Sequence, residues 1–139
     1  MIDFKKVELN INDKLYLISA LLTFLTMLMF SIEFFSKNTF PEVKLRTFYI
    51  IVLLIYAIHK EALRWAGTME IDRRGEFFVY LWILFAIIIY IIDFFSKNYF
   101  TKEDSSVIND ITLTSLQVLA IFIISRISKI IQCWRYKLC

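Results

Sequence analysis

The sequence contains little of the two residue types that bend helices or let them approach closely. Its 139 residues include two glycines, Gly67 and Gly75, and one proline, Pro41. Because proline kinks helices and glycine allows close backbone contact between membrane helices, their scarcity predicts straight helices with bulky surfaces. Secondary transporters usually have broken helices or a charged midplane site, so a transporter is not expected.

Residues for metal, nucleotide or nucleophilic chemistry are also scarce. The single histidine, His59, is interpreted as a spacer at the membrane interface. The two cysteines, Cys133 and Cys139, form neither a CxxC motif nor a cluster with metal-ligand spacing. The sequence contains no HExxH, GxSxG or glycine-rich phosphate loop. We therefore expect no enzyme activity, no cofactor and no metal, and free thiols at both cysteines.

Apolar and aromatic residues are abundant. Hydrophobic residues make up 59% of the chain and aromatic residues 17%, and the mean hydropathy is +0.65. A soluble protein surface does not tolerate this composition, so the sequence predicts an all-α integral membrane protein. The first apolar run is too long for a signal peptide and lacks a small-residue cleavage site, so we expect it to remain as a membrane anchor.

Four apolar runs predict four transmembrane helices. The first follows Asn12 and Asp13, which are favourable N-cap residues. The uncharged part of the second, residues 47–58, is shorter than a bilayer core, so its flanking lysines and arginines should snorkel to the headgroups. The predicted spans are 15–36, 43–65, 75–97 and 106–131.

Two nearly identical octapeptides close the first and third apolar runs. They are residues 33–40, EFFSKNTF, and residues 93–100, DFFSKNYF. Repetition at corresponding positions predicts two duplicated helical hairpins, related by an axis along the membrane normal. The predicted organisation is an N-terminal segment 1–13, a first hairpin 14–66, a loop 67–73, a second hairpin 74–134 and a tail 135–139.

The composition of the octapeptides suits the end of a membrane helix. In each copy an acid precedes a lysine by four residues, which favours a helical ion pair, and an asparagine follows that can adopt the left-handed conformation. The alternative is that the two acids form a functional ring or bind ions at the outer membrane boundary. The residues concerned are Glu33, Lys37, Asn38, Asp93, Lys97 and Asn98.

The distribution of positive charge predicts an orientation. Of the 16 lysines and arginines, eleven lie with the termini and the loop between the hairpins, and five lie on the other face. Because positive residues stay in the cytoplasm, both termini and that loop should be cytoplasmic, and the octapeptides should face outward. The usage of Ile, Phe, Lys and Asn suggests a prokaryotic source, and hence a multi-pass protein of the cell (inner) membrane.

The fourth predicted span carries a polar stripe along one helical face. Gln117 lies near its middle, where an unpaired amide in hydrocarbon is unfavourable, so this stripe should not face lipid. Three interpretations remain open: contact within the bundle, contact between copies of the chain, or the lining of a pore. The candidate residues are Asp110, Thr114, Gln117, Ser125 and Ser128. Asp110 could instead bind a cation, or simply be stabilised by the helix dipole.

Two functional classes fit these features. The first is a non-enzymatic scaffold or assembly partner, because the chain has short loops and no catalytic constellation. The second is an oligomeric pore of the holin or membrane-effector kind, favoured by the small size and the polar stripe. The expected partners are the lipid bilayer and either further copies of the chain or another protein, whereas specific binding to nucleic acid is not expected.

Overall fold

The described part of the chain folds into four helices. The computed structural model describes residues 4–36, 45–67, 75–101 and 106–136, and within these ranges it contains no strand. The helices are α1, Phe4–Phe35, α2, Leu45–Trp65, α3, Glu76–Phe95, and α4, Ser106–Tyr136. The prediction of an all-α protein is therefore confirmed.

Three of the four helices are long and apolar enough to cross a membrane. They are α1, over Lys6–Phe35, α3, over Glu76–Phe95, and α4, over Ser106–Arg135. The prediction of a membrane protein with apolar spans is confirmed for these three helices. The second predicted span, α2, is not a candidate by length and composition because charged residues occupy both of its ends.

Helix α1 begins well before the predicted N-cap. Asn12 and Asp13 lie inside the helix, so the prediction that they cap its N-terminus was wrong. The physical reason is tertiary contact: Asn12 is only 1% exposed, and Glu8 contacts His59 of α2. Capping preference is a weak signal, and packing against a neighbouring helix overrides it.

Successive helices run antiparallel. In both hairpins, as the residue number increases along the first helix, the residue number of its contact partner on the second helix decreases. The contacts are Glu8–His59, Tyr16–Tyr56 and Thr23–Tyr49 between α1 and α2, and Glu76–Arg126 and Tyr90–Thr112 between α3 and α4.

Helices α2 and α4 run parallel and in constant register. Arg46 pairs with Asp110, and Arg64 with Ser128, and both pairs are separated by 64 residues. Helices α1 and α3 are also parallel, since Tyr16 contacts Phe78 and, further along both segments, Phe34 contacts Phe100. One end of the bundle therefore holds residues 33–36 and 93–100, which we call the octapeptide end. We call the opposite end the basic end.

Aromatic side chains fill the centre of the bundle. Trp82, Tyr49 and Phe30 are 0% exposed, and the Trp82 ring contacts both of the other two. The backbones of α2 and α3 do not approach each other within the described ranges, so this cluster spans the diagonal between them. The packed rings hold together helices that share no backbone contact.

Candidate functional site

A hydroxyl group at the centre of the bundle joins three helices. The indole Nε1 of Trp82 on α3 donates to the Tyr49 hydroxyl of α2 over 2.8 Å. A hydrogen bond of 3.2 Å also joins that hydroxyl to Thr23 Oγ1 of α1. All three residues are 0% exposed. Buried polar groups are unfavourable unless they are hydrogen-bonded. Thr23 and Trp82 supply the hydrogen-bond partners of the buried Tyr49 hydroxyl of α2.

A second polar network lies at the basic end, between α2 and α4. The Arg64 guanidinium of α2 pairs with Glu61, and it donates to Gln132 Oε1 over 3.1 Å and to Ser128 Oγ over 3.1 Å. Gln132 Nε2 donates back to the Arg64 carbonyl over 3.0 Å, and Ser125 Oγ donates to Glu61. We call these five residues the Arg64 seam.

The two helices meet again near the octapeptide end. Arg46 of α2 forms an ion pair with Asp110 of α4. Thr114, one turn further along α4, is fully buried and donates to the Asp110 carbonyl over 2.7 Å. The Asp110 carboxylate therefore has an arginine partner, which the sequence alone did not identify. The candidate residues Asp110, Ser125 and Ser128 all contact α2.

Gln117 differs from the other candidate residues of α4. Its side chain is half-buried, and within the described ranges no hydrogen bond to it is formed. Its predicted contact with another helix or another copy of the chain therefore remains a prediction. Of the five α4 candidates, Gln117 is the one that forms no side-chain hydrogen bond with the described residues.

The two octapeptides end their helices with the same local hydrogen bond. Ser36 Oγ donates to the Glu33 carbonyl over 3.1 Å, and Ser96 Oγ donates to the Asp93 carbonyl over 2.9 Å. In the second copy, the Asn98 N–H also donates to the Asp93 carbonyl over 2.9 Å. Lys37 and Asn38 of the first copy lie outside the described residues, so their predicted roles are not described.

The second octapeptide forms a Schellman motif. Lys97 and Asn98 have φ angles of 55° and 58°, so Asn98 adopts the left-handed conformation that the sequence predicted. The predicted ion pair between Asp93 and Lys97 was wrong. Because the left-handed backbone moves Lys97 off the helical face, the Asp93 carboxylate instead accepts a hydrogen bond of 2.8 Å from Thr101 Oγ1.

The two octapeptides also touch each other. The Phe100 ring of the second copy lies 5.2 Å from the Phe34 ring and 5.4 Å from the Phe35 ring of the first. Glu33 is 6% exposed, so it does not project into open solvent. Among the described residues, no group of three or more His, Cys, Asp or Glu side chains could hold a metal ion.

Sequence reasoning missed two contacts of acidic side chains at the basic end. His59 Nε2 lies 3.1 Å from Glu8 Oε2, and Arg126 of α4 pairs with Glu76 at the start of α3. Helical periodicity could have placed Glu8 on the same face as the buried Asn12, four residues later. It could not have shown which helix that face meets.

Cys133, near the end of α4, is disulfide-bonded. The predicted free thiol was therefore wrong for this residue. Cys139, the other cysteine of the sequence, lies outside the described residues.

Comparison with known protein families, with characterised proteins and with solved structures finds no match for this chain.

Proposed function

We propose that the protein is a non-enzymatic membrane scaffold or assembly partner. The observation that carries this proposal is the use of the polar side chains inside the bundle. The Tyr49 hydroxyl binds Thr23 and Trp82, and the Arg64 seam holds α2 against α4. A centre filled by fully buried rings has little room for a substrate, and this favours a structural role.

The proposal includes four membrane crossings. By itself α2 is too charged to be a candidate span. In the bundle, however, Arg46 is paired with Asp110 and Arg64 with Glu61. Pairing lowers the cost of placing charge near hydrocarbon, so the apolar stretch of α2 crosses between its neighbours.

We further propose that the two hairpins arose by duplication and that both termini are cytoplasmic. The support for the first is the shared octapeptide and the parallel course of α1 and α3. The support for the second is the excess of basic residues at the basic end. The Cys133 disulfide favours the opposite orientation, because disulfides persist mainly in oxidising compartments.

Cysteine labelling tests both the crossing of α2 and the orientation. In a chain with Cys133→Ser and Cys139→Ser, a single cysteine replaces either Lys6 or Asn98, both of which are exposed. With α2 crossing, three helices separate these positions, so a membrane-impermeant maleimide should label only Asn98→Cys in intact cells. Labelling of both positions, or of neither, contradicts the crossing of α2, and labelling of Lys6→Cys alone reverses the orientation.

Liposome leakage tests the scaffold role. The purified protein, reconstituted into vesicles that contain a self-quenched dye, should release no more dye than protein-free vesicles. Release that rises with protein density and stops above a defined dye size would contradict the scaffold proposal and favour a pore.

The second candidate function is an oligomeric pore, and the position of Gln117 favours it. An amide group near the middle of a span, half-buried and without a hydrogen bond among the described residues, can be satisfied by a second copy of the chain. Gln117→Leu should then shift the protein toward smaller species in mild detergent, whereas Phe122→Leu should not. Unchanged size for both variants would remove the homo-oligomer and leave the scaffold proposal.

A further inference from the structure

Charged residues of three helices mark a common level at the basic end. Tyr16 of α1 contacts Phe78 of α3, with 5.5 Å between the ring centroids. Lys14 and Glu76 each precede one of these rings by two residues, so their backbones lie close to the same level. Arg126 of α4 reaches this level because it pairs with Glu76. Since the apolar parts of α1 and α3 begin directly after these charges, the level is the edge of the hydrocarbon layer in the proposed membrane placement.

Helix α4 continues well past this level. Ten residues of the helix follow Arg126, which is about 15 Å. The hydrogen bond between Tyr90 and Thr112 also places the end of α4 about 15 Å beyond the start of α3. The 3.4 Å bond from Ser115 Oγ to the Trp82 carbonyl places it about 22 Å beyond. Headgroups extend only about 5 to 7 Å outside the hydrocarbon, so the last turns of α4 project into water.

The projecting part of α4 carries an exposed apolar stripe. Its members are Ile127, Ile130, Ile131 and Trp134, which are 50%, 59%, 53% and 85% exposed. They follow the spacing i, i+3, i+4 and i+7, so they lie on one helical face. The same spacing anchors amphipathic helices to their partners. Lipid chains do not reach this far, so the stripe requires a protein to cover it.

The stripe can neither turn into the bundle nor lie on the membrane surface. Ser128 and Gln132, on the opposite side of the same turns, bond Arg64 of α2. These bonds fix the rotation of α4 and hold it upright against α2. Basic amphipathic helices commonly lie flat in the headgroup layer, but the Arg64 seam prevents this here. The stripe therefore faces outward into water.

Charge favours an acidic partner. The sequence contains no Asp or Glu after Asp110. Arg126, Lys129 and Arg135 lie in or next to the projecting part of α4. A second copy of the chain in the same membrane would bring like charges to the same level, which is unfavourable. A partner that carries Glu or Asp beside its apolar residues complements these charges.

The stripe also borders a concave surface with a volume of about 480 Å³. Among the described residues, this surface is lined by Ile130, Ile131, Trp134 and Arg135. An apolar floor with an arginine at its edge fits an apolar side chain that has a carboxylate nearby.

We propose that the stripe is the docking site for an acidic amphipathic helix of a partner protein. The apolar face of that helix covers the four stripe residues, and its carboxylates pair with Arg135. The inference rests on the proposed membrane placement and names the kind of partner that the proposed assembly role requires.

Peptide binding tests the inference. The probe is a fluorescent synthetic helix with leucines along one face and glutamates on the others, and the matched probe has lysines in place of the glutamates. Fluorescence anisotropy measures their binding to the full-length protein in phosphatidylcholine nanodiscs. The glutamate peptide should bind several-fold more tightly than the lysine peptide, and more tightly than it binds empty nanodiscs.

Three variants show whether the stripe is responsible. Ile130→Ser with Trp134→Ser should weaken binding of the glutamate peptide several-fold. The matched control is Val7→Ser with Ile11→Ser, because these α1 residues also lie beyond the charged level and are 42% and 40% exposed; it should leave binding unchanged. Arg135→Glu should reduce the preference for the glutamate peptide. Gel filtration confirms that each variant remains folded.

Equal affinity for the two peptides, or equal binding by the native protein and the double serine variant of α4, overturns the inference. Binding of neither peptide also overturns it. In that case, a smaller size of the double serine variant in mild detergent identifies a second copy of the chain as the occupant, and an unchanged size identifies another segment of the same chain.

Depth measurements separate this inference from the proposed membrane placement. In Cys133→Ser, Cys139→Ser protein, a cysteine for fluorophore attachment replaces either Leu116, which is 57% exposed, or Trp134. Lipid spin-labelled deep in its acyl chain should quench only the probe at residue 116. Quenching at both positions overturns the docking site and leaves the membrane placement intact. Quenching at neither position overturns both.

Discussion

Helices α2 and α3 differ in composition and in their polar contacts. Helix α3 is almost wholly apolar and is a candidate span by itself, whereas α2 is not. Nevertheless, α2 has the more extensive polar contacts: it bonds α1 and α3 through Tyr49 and α4 through Arg46 and Arg64. Composition alone therefore identifies a helix that is apolar enough to cross a membrane by itself. It does not identify a helix whose polar groups are satisfied by neighbouring helices.

The largest expected effect comes from the ring that joins α3 to α2. Trp82→Ala should lower the free energy of unfolding by about 3 to 5 kcal/mol, because it leaves a cavity where a fully buried ring contacted Phe30 and Tyr49. Denaturation by sodium dodecyl sulfate in mild detergent measures the loss. Trp134→Ala is the matched control, because Trp134 is 85% exposed and its removal should have little effect.

A smaller loss in the free energy of unfolding is expected for a substitution in the Arg64 seam. Arg64→Leu leaves Glu61, Ser128 and Gln132 without their arginine partner. Because the Arg64 and Glu61 side chains are each 16% exposed, we expect a loss of about 2 kcal/mol, less than for a fully buried pair. The same denaturation assay measures it. Arg135→Leu, at an exposed position of α4, should change stability by no more than a few tenths of a kcal/mol.

If Arg64→Leu and Arg135→Leu are equally stable, the seam does not hold α2. The difference between α2 and α3 would then be one of hydrophobicity, and the polar contacts of Arg64 would not contribute to it.

A loss of about 1 kcal/mol is expected for Tyr49→Phe. The substitution keeps the ring contact with Trp82 but removes the hydroxyl that Trp82 Nε1 and Thr23 bond. Tyr80→Phe is the matched control, since Tyr80 is 66% exposed. A loss as large as that of Trp82→Ala would show that the hydrogen bonds dominate over ring packing at the centre.

The smallest effect concerns the end of α3 and has the opposite sign. Lys97→Gly should stabilise the protein by about 0.5 kcal/mol, because glycine adopts the left-handed conformation at φ 55° without a Cβ penalty. Lys14→Gly, at an exposed interior position of α1, should instead destabilise it by about 1 kcal/mol. Equal destabilisation by both substitutions would contradict a left-handed Lys97.

The sequence was sufficient for local features and insufficient for partners. Helical periodicity placed Asp110, Ser125 and Ser128 on one face of α4, but it could not show that Arg46 and Arg64, 64 residues earlier, face them. The long start of α1 was missed because Asn12 and Asp13 have capping preferences that packing against α2 overrides. The contact between Phe34 and Phe100 depends on how the two hairpins are arranged, which no local pattern specifies.

The dependence of α2 on α4 has a consequence for biosynthesis. The ribosome completes Trp65, the last residue of α2, 67 residues before Gln132, which closes the Arg64 seam. At about 5 to 20 residues per second, that interval lasts about 3 to 13 s. If α2 crosses the membrane as proposed, Arg64 lacks its α4 partners throughout this interval. A chain truncated before α4 should therefore be recognised as unassembled and degraded. In the full chain, the time needed to form the Arg64 seam would determine when membrane insertion is complete.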